Sequence, residues 1–158
     1  NGYTKPEKLA IHGGSNGGLL VGAVMVQRPD LFGAVVCQVP LLDMIHYDRL
    51  KIAKSWMSEY GDPSNPDHFK FLHAYSPYHH VVDGTEYPAI LITTAENDSR
   101  VDPMHARKMA ARLQEATVSG KPILLQVEAQ AGHGAGKPVL KMLEDATDIY
   151  TFLHTTIG

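Results

Sequence analysis

Lys8-Leu9-Ala10-Ile11-His12-Gly13-Gly14-Ser15-Asn16-Gly17-Gly18-Leu19-Leu20-Val21 is the stretch on which the fold turns. The apolar run from Lys8 to His12 collides with Gly13 and Gly14, the pattern of a buried strand ending in a tight turn. From Gly18 to Gln27 the chain is apolar nearly all round, which predicts a helix packed deep against a sheet and stopped by Arg28-Pro29-Asp30. Between the two, Gly13-Gly14-Ser15-Asn16-Gly17 satisfies G-x-S-x-G with a strand before it and a helix after it. A serine at such a turn sits at a strained backbone position with Oγ pushed into the open. A side chain at either Gly13 or Gly17 is expected to collide with the adjacent strand or helix. The positive end of the helix and the backbone N–H of Asn16 face whatever oxyanion forms after attack. Phosphate loops and purely structural turns are also glycine-rich. Here no Lys follows the glycines as a P-loop needs, and no acidic ribose ligand stands out downstream.

Outward from this turn, Ala34 to Val39 reads as a second strand closed by Pro40, Ala89 to Thr94 as a third and Ile123 to Val127 as a fourth. The spacing from Leu41 to Tyr60 predicts an amphipathic helix, broken by Gly61-Asp62-Pro63-Ser64-Asn65-Pro66. A short helix is expected over Phe69 to Tyr75, ahead of Ser76-Pro77-Tyr78-His79-His80. Asp102 and Pro103 supply a cap and a first-turn proline for a helix from Met104 to Ala116, with Arg107, Lys108 and Arg112 exposed. Gly132 to Gly136 reads as a loop and Val139 to Leu153 as a closing helix. Strands alternating with helices at this spacing predict an α/β fold, a mostly parallel sheet with helices on both faces. One domain is expected over 1–158, with no internal repeat, low-complexity tract or linker.

The composition, 44% hydrophobic and 20% charged over 158 residues, is that of a globular domain. Fourteen Lys plus Arg against seventeen Asp plus Glu leave a formal charge of −3 and no basic field for a phosphate backbone, so nucleic acid is not an expected partner. A single cysteine, Cys37, excludes an internal disulfide and a thiolate-clustered zinc site. The longest apolar runs are too short to span a bilayer, and no membrane partner is expected. The opening Asn1-Gly2-Tyr3-Thr4-Lys5-Pro6 carries neither an initiator Met nor a signal-peptide pattern and reads as the interior of a longer polypeptide.

A serine hydroxyl needs a general base, and the base needs a carboxylate to fix its tautomer. The expected chain order is Ser, Asp, His. The loop after the third strand offers Glu96, Asp98 and Asp102. Asp102 is better spent as the helix cap and Glu96 lies nearer the strand end, which favours Asp98 as the acid with Asp102 as the alternative. Of nine histidines, only His133 sits in a glycine-rich loop after the last strand, Ala131-Gly132-His133-Gly134-Ala135-Gly136, where its ring can swing over Ser15. The tandem His79-His80 looks like a metal half-site, but without a Cys or H-E-x-x-H partner no metal is expected there.

Three ordered motifs, Gly13-Gly14-Ser15-Asn16-Gly17-Gly18, Asn97-Asp98-Ser99-Arg100-Val101 and Gly132-His133-Gly134-Ala135-Gly136-Lys137-Pro138, resemble the catalytic domain of the prolyl oligopeptidase family of serine peptidases. Ser55-Trp56 through Tyr60-Gly61 and Tyr75-Ser76-Pro77 extend the likeness over essentially the whole chain. The resemblance implies the C-terminal portion of an α/β-hydrolase fold that cleaves short peptides after proline, without a cofactor. It implies Ser15 as nucleophile, Asp98 as acid, His133 as base and the backbone N–H of Asn16 as an oxyanion donor. Arg100 matches an arginine that hydrogen-bonds a substrate carbonyl, and Trp56 an indole on which the substrate proline stacks. Tyr60, Val101 and Leu41 match further walls of that pocket. A flat aromatic face suits a rigid pyrrolidine, and one guanidinium orients a peptide. On residue type alone, Trp56 and Tyr60 also fit a core, and Arg100 a solvated or paired surface cation.

Family members also carry an upstream β-propeller, the first half of the hydrolase sheet and a tyrosine hydroxyl as second oxyanion donor. The resemblance therefore implies a fragment of a longer enzyme, cytoplasmic rather than periplasmic. Losing one oxyanion donor costs about a hundred- to a thousandfold in turnover, so this stretch alone is expected to be weak or inert. Its first strand is expected to leave an apolar sheet edge open, an association hazard. The alternatives are another hydrolase of the same fold, such as an acylaminoacyl or dipeptidyl peptidase or an esterase, and a catalytically silent chain that self-associates.

Overall fold

A computed structural model of the chain describes residues 2–129, 132–133 and 137–158. Its strands are β1 (Ala10–Gly14), β2 (Ala34–Gln38), β3 (Ala89–Ala95) and β4 (Ile123–Glu128); its α-helices are α1 (Asn16–Gln27), α2 (Met57–Tyr60), α3 (Pro66–Tyr75), α4 (Met104–Ala116) and α5 (Val139–Ile157). The strands form one parallel sheet in the order β1-β2-β3-β4, with Gly13 beside Cys37, Cys37 beside Ile92 and Ile92 beside Leu125. Because successive side chains of a strand point to opposite faces, the apolar runs serve two cores at once. Val35, Cys37, Ile90 and Ile92 pack against Val21 and Met25 of α1 and Met109 and Leu113 of α4. On the other face Ala34, Val36, Ala89 and Leu91 meet Ile149 and Phe152 of α5.

α1 is not buried all round, since Leu20 is 62% exposed. Its close contact is with the segment leaving β2: a Cβ at Gly18 would lie 2.7 Å from Pro40 Cβ, and one at Gly22 2.5 Å from Leu42 Cδ2. That segment holds the largest departure from the sequence reading. Residues 41–60 form no continuous helix but two 3₁₀ turns, Tyr47–Arg49 and Ala53–Trp56, followed by the four-residue α2. Side chains capture five consecutive amide protons, and the two that a helix starting at Leu41 would bond internally, those of Ile45 and His46, go to Asp43. His105 Nδ1 accepts from Leu42 and Asp43, Ser76 Oγ from Met44, and Asp43 Oδ1 from Ile45 and His46. Lys51, at φ 54°, interrupts the path again.

Asn65 starts α3 by accepting from the N–H groups of Asp67 and His68 at 2.9 and 3.4 Å, with Pro66 at the first helical position. On α4, Arg107 is exposed as expected, whereas Lys108 and Arg112 are half-buried because they pair with Asp43 and Asp83. α5 runs past Leu153 to Ile157. Lys8 Nζ holds its last turn by donating to the carbonyls of Ile157 and Gly158 at 2.8 and 2.7 Å. Among the described residues β1 pairs only with β2, and no helix is long and apolar enough to cross a membrane.

Candidate active site

Ser15 stands between the last residue of β1 and the first of α1, at φ 56° and ψ −117°, a conformation that L-residues rarely adopt. Its N–H donates to Gln38 O at 2.9 Å and its carbonyl accepts from Leu19 at 3.1 Å, so both its backbone groups are used to hold the turn. Gly13 is required by close approach, since a Cβ there would lie 2.2 Å from the carbonyl oxygen of Gly17. The expectation for Gly17 is overturned. Beyond its chain neighbours and the backbone of its own helix, nothing among the described residues lies within 4 Å of where its Cβ would be, and the crowded partner of Gly13 is Gly18, against Pro40.

Asp98 follows β3 and is 0% exposed. Its Oδ1 accepts from the N–H groups of Arg100 and Val101, both at 2.9 Å, while Oδ2 lies 2.6 Å from His133 Nδ1. Three donors therefore satisfy a carboxylate that burial would otherwise penalise. With Nδ1–H donating to Asp98, Nε2 is left as an acceptor, and it lies 3.1 Å from Ser15 Oγ. Asp102 takes no part; its Oδ1 accepts from Met104 N at 2.9 Å and caps α4. Residues 131 and 134–136 of the expected histidine loop lie outside the described residues.

The expected pocket walls meet in one cluster. Leu41 and Val101 are buried and pack with Leu19, Met44 and Tyr47, and the half-buried Trp56 and Tyr60 lie against them. Tyr60 stands edge-on to Tyr47 with ring centroids 5.8 Å apart. Its hydroxyl donates to Asn16 Oδ1 at 2.9 Å. Burial, with a smaller contribution from Glu59, raises the Tyr60 phenol above its ordinary range, so it remains a donor at neutral pH. Arg100 is exposed, and among the described residues its guanidinium has neither a hydrogen bond nor an ion pair. A separate cavity of about 370 Å³ opens on the α5 side, lined by Gly14, Gln38, Thr93, Glu128, His133 and Lys137 among others. It touches none of Leu41, Trp56, Tyr60 and Val101.

Two clusters escape the sequence reading. Lys137 donates to Glu128 at the end of β4 and to Asp145 on α5, with Lys141 3.5 Å from Glu128, so the two ends of the segment that carries His133 are tied together. Although burial works against it, hydrogen bonds and charge from Asp145 and Glu128 hold the Lys137 ammonium above its ordinary pKa. The other is Asp43, buried with His46, His79 and Lys108 around its carboxylate. Burial opposes its charge, yet Lys108 and His46 bring the carboxyl down to about 2. Behind it, burial pushes His105 down to about 4, which keeps the ring neutral and its Nδ1 an acceptor. Asp43 and His46 stand one helical turn apart in sequence, a weak signal; the approach of His79 has none.

The model of the prolyl oligopeptidase family matches residues 1–158. A prolyl endopeptidase of Dictyostelium discoideum is 44% identical over 99% of this chain, which covers 21% of that protein. A structure from a study of two prolyl endopeptidases superposes with a TM-score of 0.95 at 54% identity, covering 98% of this chain and 23% of that one. A post-proline cleaving enzyme of Rickettsia typhi gives 0.92 at 40% identity, covering 98% and 22%. The chain thus spans about a fifth of the length of the relatives it matches. With a parallel sheet, the serine at its strand-to-helix turn and a sequence match along its whole length, the chain has the α/β-hydrolase fold and belongs to the prolyl oligopeptidase family.

Proposed function

We propose that the protein is a serine peptidase that cleaves short peptides on the carboxyl side of proline. The observation that carries this reading is the unbroken relay from Ser15 Oγ through His133 to Asp98. Ser15 Oγ forms a bond to the prolyl carbonyl carbon while His133 Nε2 takes the hydroxyl proton, and Asp98 stabilises the imidazolium. The C–N bond then breaks, with His133 returning the proton to the leaving amine; water repeats the cycle on the acyl-enzyme. The N–H of Asn16, at the start of α1, supports the oxyanion. Trp56, Tyr60, Val101 and Leu41 wall the proline site, and the Arg100 guanidinium, without a partner among the described residues, takes a substrate carbonyl.

Support for the substrate class comes from the relatives, described as prolyl endopeptidases and a post-proline cleaving enzyme. They extend far beyond the matched stretch, so the propeller, the further strands beside β1 and the second oxyanion donor belong to this proposal. A cytoplasmic setting rests on the same resemblance. In the full gene product, an organophosphonate should label the protein and fail to label Ser15→Ala; equal labelling removes Ser15 from the mechanism. Trp56→Ala should lose more activity on proline substrates than on alanine substrates, and an equal loss returns Trp56 to the core. Preference for free-amine peptides, blocked amino acids or aryl esters points instead to a dipeptidyl peptidase, acylaminoacyl peptidase or esterase. Concentration-dependent assembly without labelling favours a silent chain joined through β1.

A further inference from the structure

We propose that Asp43, His46 and His79 form a binding site for one divalent transition-metal ion of the zinc class. Asp43 is 1% exposed, and His46 Nδ1 lies 3.1 and 3.0 Å from its two carboxylate oxygens. His79 Nε2 approaches Asp43 Oδ1 to 3.9 Å from a different segment, and the three donor atoms all lie within 4.8 Å of one another. A tetrahedral ion with bonds of about 2.0–2.1 Å holds its ligand atoms about 3.3 Å apart. Side-chain adjustments of roughly an ångström therefore close this set on an ion, with water in the fourth position. Two imidazoles and one carboxylate select zinc and its neighbours over magnesium or calcium, which take all-oxygen sets.

The surroundings orient these donors. Ser76 Oγ accepts from Met44 N–H and lies 2.9 Å from His79 Nδ1; in the metal-bound form it accepts that ring proton as well, which leaves Nε2 free for the ion. The His105 ring accepts from the Asp43 N–H and fixes the backbone under the carboxylate. When the ion replaces the proton between His46 Nδ1 and Asp43, the ring proton of His46 moves to Nε2, where nearly half of the side chain is exposed. The one competitor is Lys108, whose ammonium bonds Asp43 Oδ2. It also lies 4.3 Å from the centre of the Tyr78 ring, which gives it a resting place when the metal displaces it. Metal binding thus exchanges one cation for another on a single buried carboxylate, and ties the segment after β2 to the Pro77–His80 turn.

The test is calorimetric titration of the chelator-stripped full gene product with zinc chloride, with cobalt(II) absorption as the second readout. His46→Ala, at a half-exposed position outside the proposed relay, should keep serine labelling, bind one equivalent fewer and lose the visible bands of tetrahedral cobalt. His80→Ala should bind as the wild type does. Lys108→Met should bind several-fold tighter, because the rival cation is gone. No difference in stoichiometry between wild type and His46→Ala overturns the proposal. So does loss of the equivalent in His80→Ala in place of His46→Ala, which moves the ion to the neighbouring His73 and His80, or a Lys108→Met that binds no tighter.

Discussion

Replacing Gly13 by alanine puts a methyl 2.2 Å from the carbonyl oxygen of Gly17, 2.6 Å from its carbon and 3.0 Å from Val21 Cγ1. Two of those three atoms are backbone of the first turn of α1, so no rotamer change relieves the clash. β1 and α1 must part by about an ångström, at an overpacking cost of about 1–3 kcal/mol. Ser15 lies between them with its Oγ 3.1 Å from His133 Nε2, and an added ångström breaks that hydrogen bond. A displacement of this size costs about a hundredfold in rate. Gly17→Ala is the matched control, because beyond its chain neighbours and its own helix's backbone no described atom approaches its Cβ within 4 Å, and alanine favours the helix by up to about 1 kcal/mol. The assay is the rate of acylation by a fluorophosphonate in the full gene product, alongside its melting temperature. Gly13→Ala should label slowly and melt early, and Gly17→Ala should label as the wild type does and melt no earlier. Wild-type labelling of Gly13→Ala, or a slow Gly17→Ala, refutes the account of the turn.

Lys137→Met leaves Glu128 and Asp145 facing each other without their cation and unmoors the segment that carries His133. It should lower kcat by about tenfold or more with KM nearly unchanged, and Lys137→Arg should restore part of it; a rise in KM alone contradicts the positioning role. Burial pushes the Cys37 thiol from 9.0 up to about 12. The unfolded thiol therefore ionises while the folded one stays neutral. Stability should fall as pH rises from 9 toward 12, by about 4 kcal/mol over the three units. Denaturant melts of Cys37→Ala should lack that slope, and parallel curves for the two proteins refute it. Asn65→Ala removes the cap of α3 and should cost about 1 kcal/mol in the same assay, against no change if Pro66 alone starts the helix.

Local signals carried most of this architecture. The strands stand within two residues of where the apolar runs place them; β2 and β3, buried on both faces, begin where their runs begin and end within one residue of them, because no polar interruption blurs their bounds. Ser15, Asp98 and His133 could each be singled out because each follows a strand, and a parallel sheet gathers such loops at one end. What escaped reading was non-local. The helical spacing of residues 41–60 is real, but Asp43 takes the Ile45 and His46 amide protons, and His105 and Ser76, remote in sequence, anchor the Leu42, Asp43 and Met44 backbone in the path that lets it do so. The same three-dimensional closure brings His79 and Lys108, from two other segments, to Asp43, and no spacing rule connects them to it. Gly17 was misjudged for the converse reason: a motif records that a glycine stands there, and only the packing shows which neighbours need it.

In the proposed peptidase, the bond from the Tyr60 hydroxyl to the Asn16 side chain welds a wall of the proline site to the residue directly after the nucleophile. Selectivity and speed then share a part. A designer who trims Tyr60 to admit a bulkier side chain also slackens the amide meant to cradle the developing negative charge. The enlarged enzyme would turn over even its smallest substrates more slowly, and repairing that would call for a second change at Asn16 rather than a better-fitting cleft.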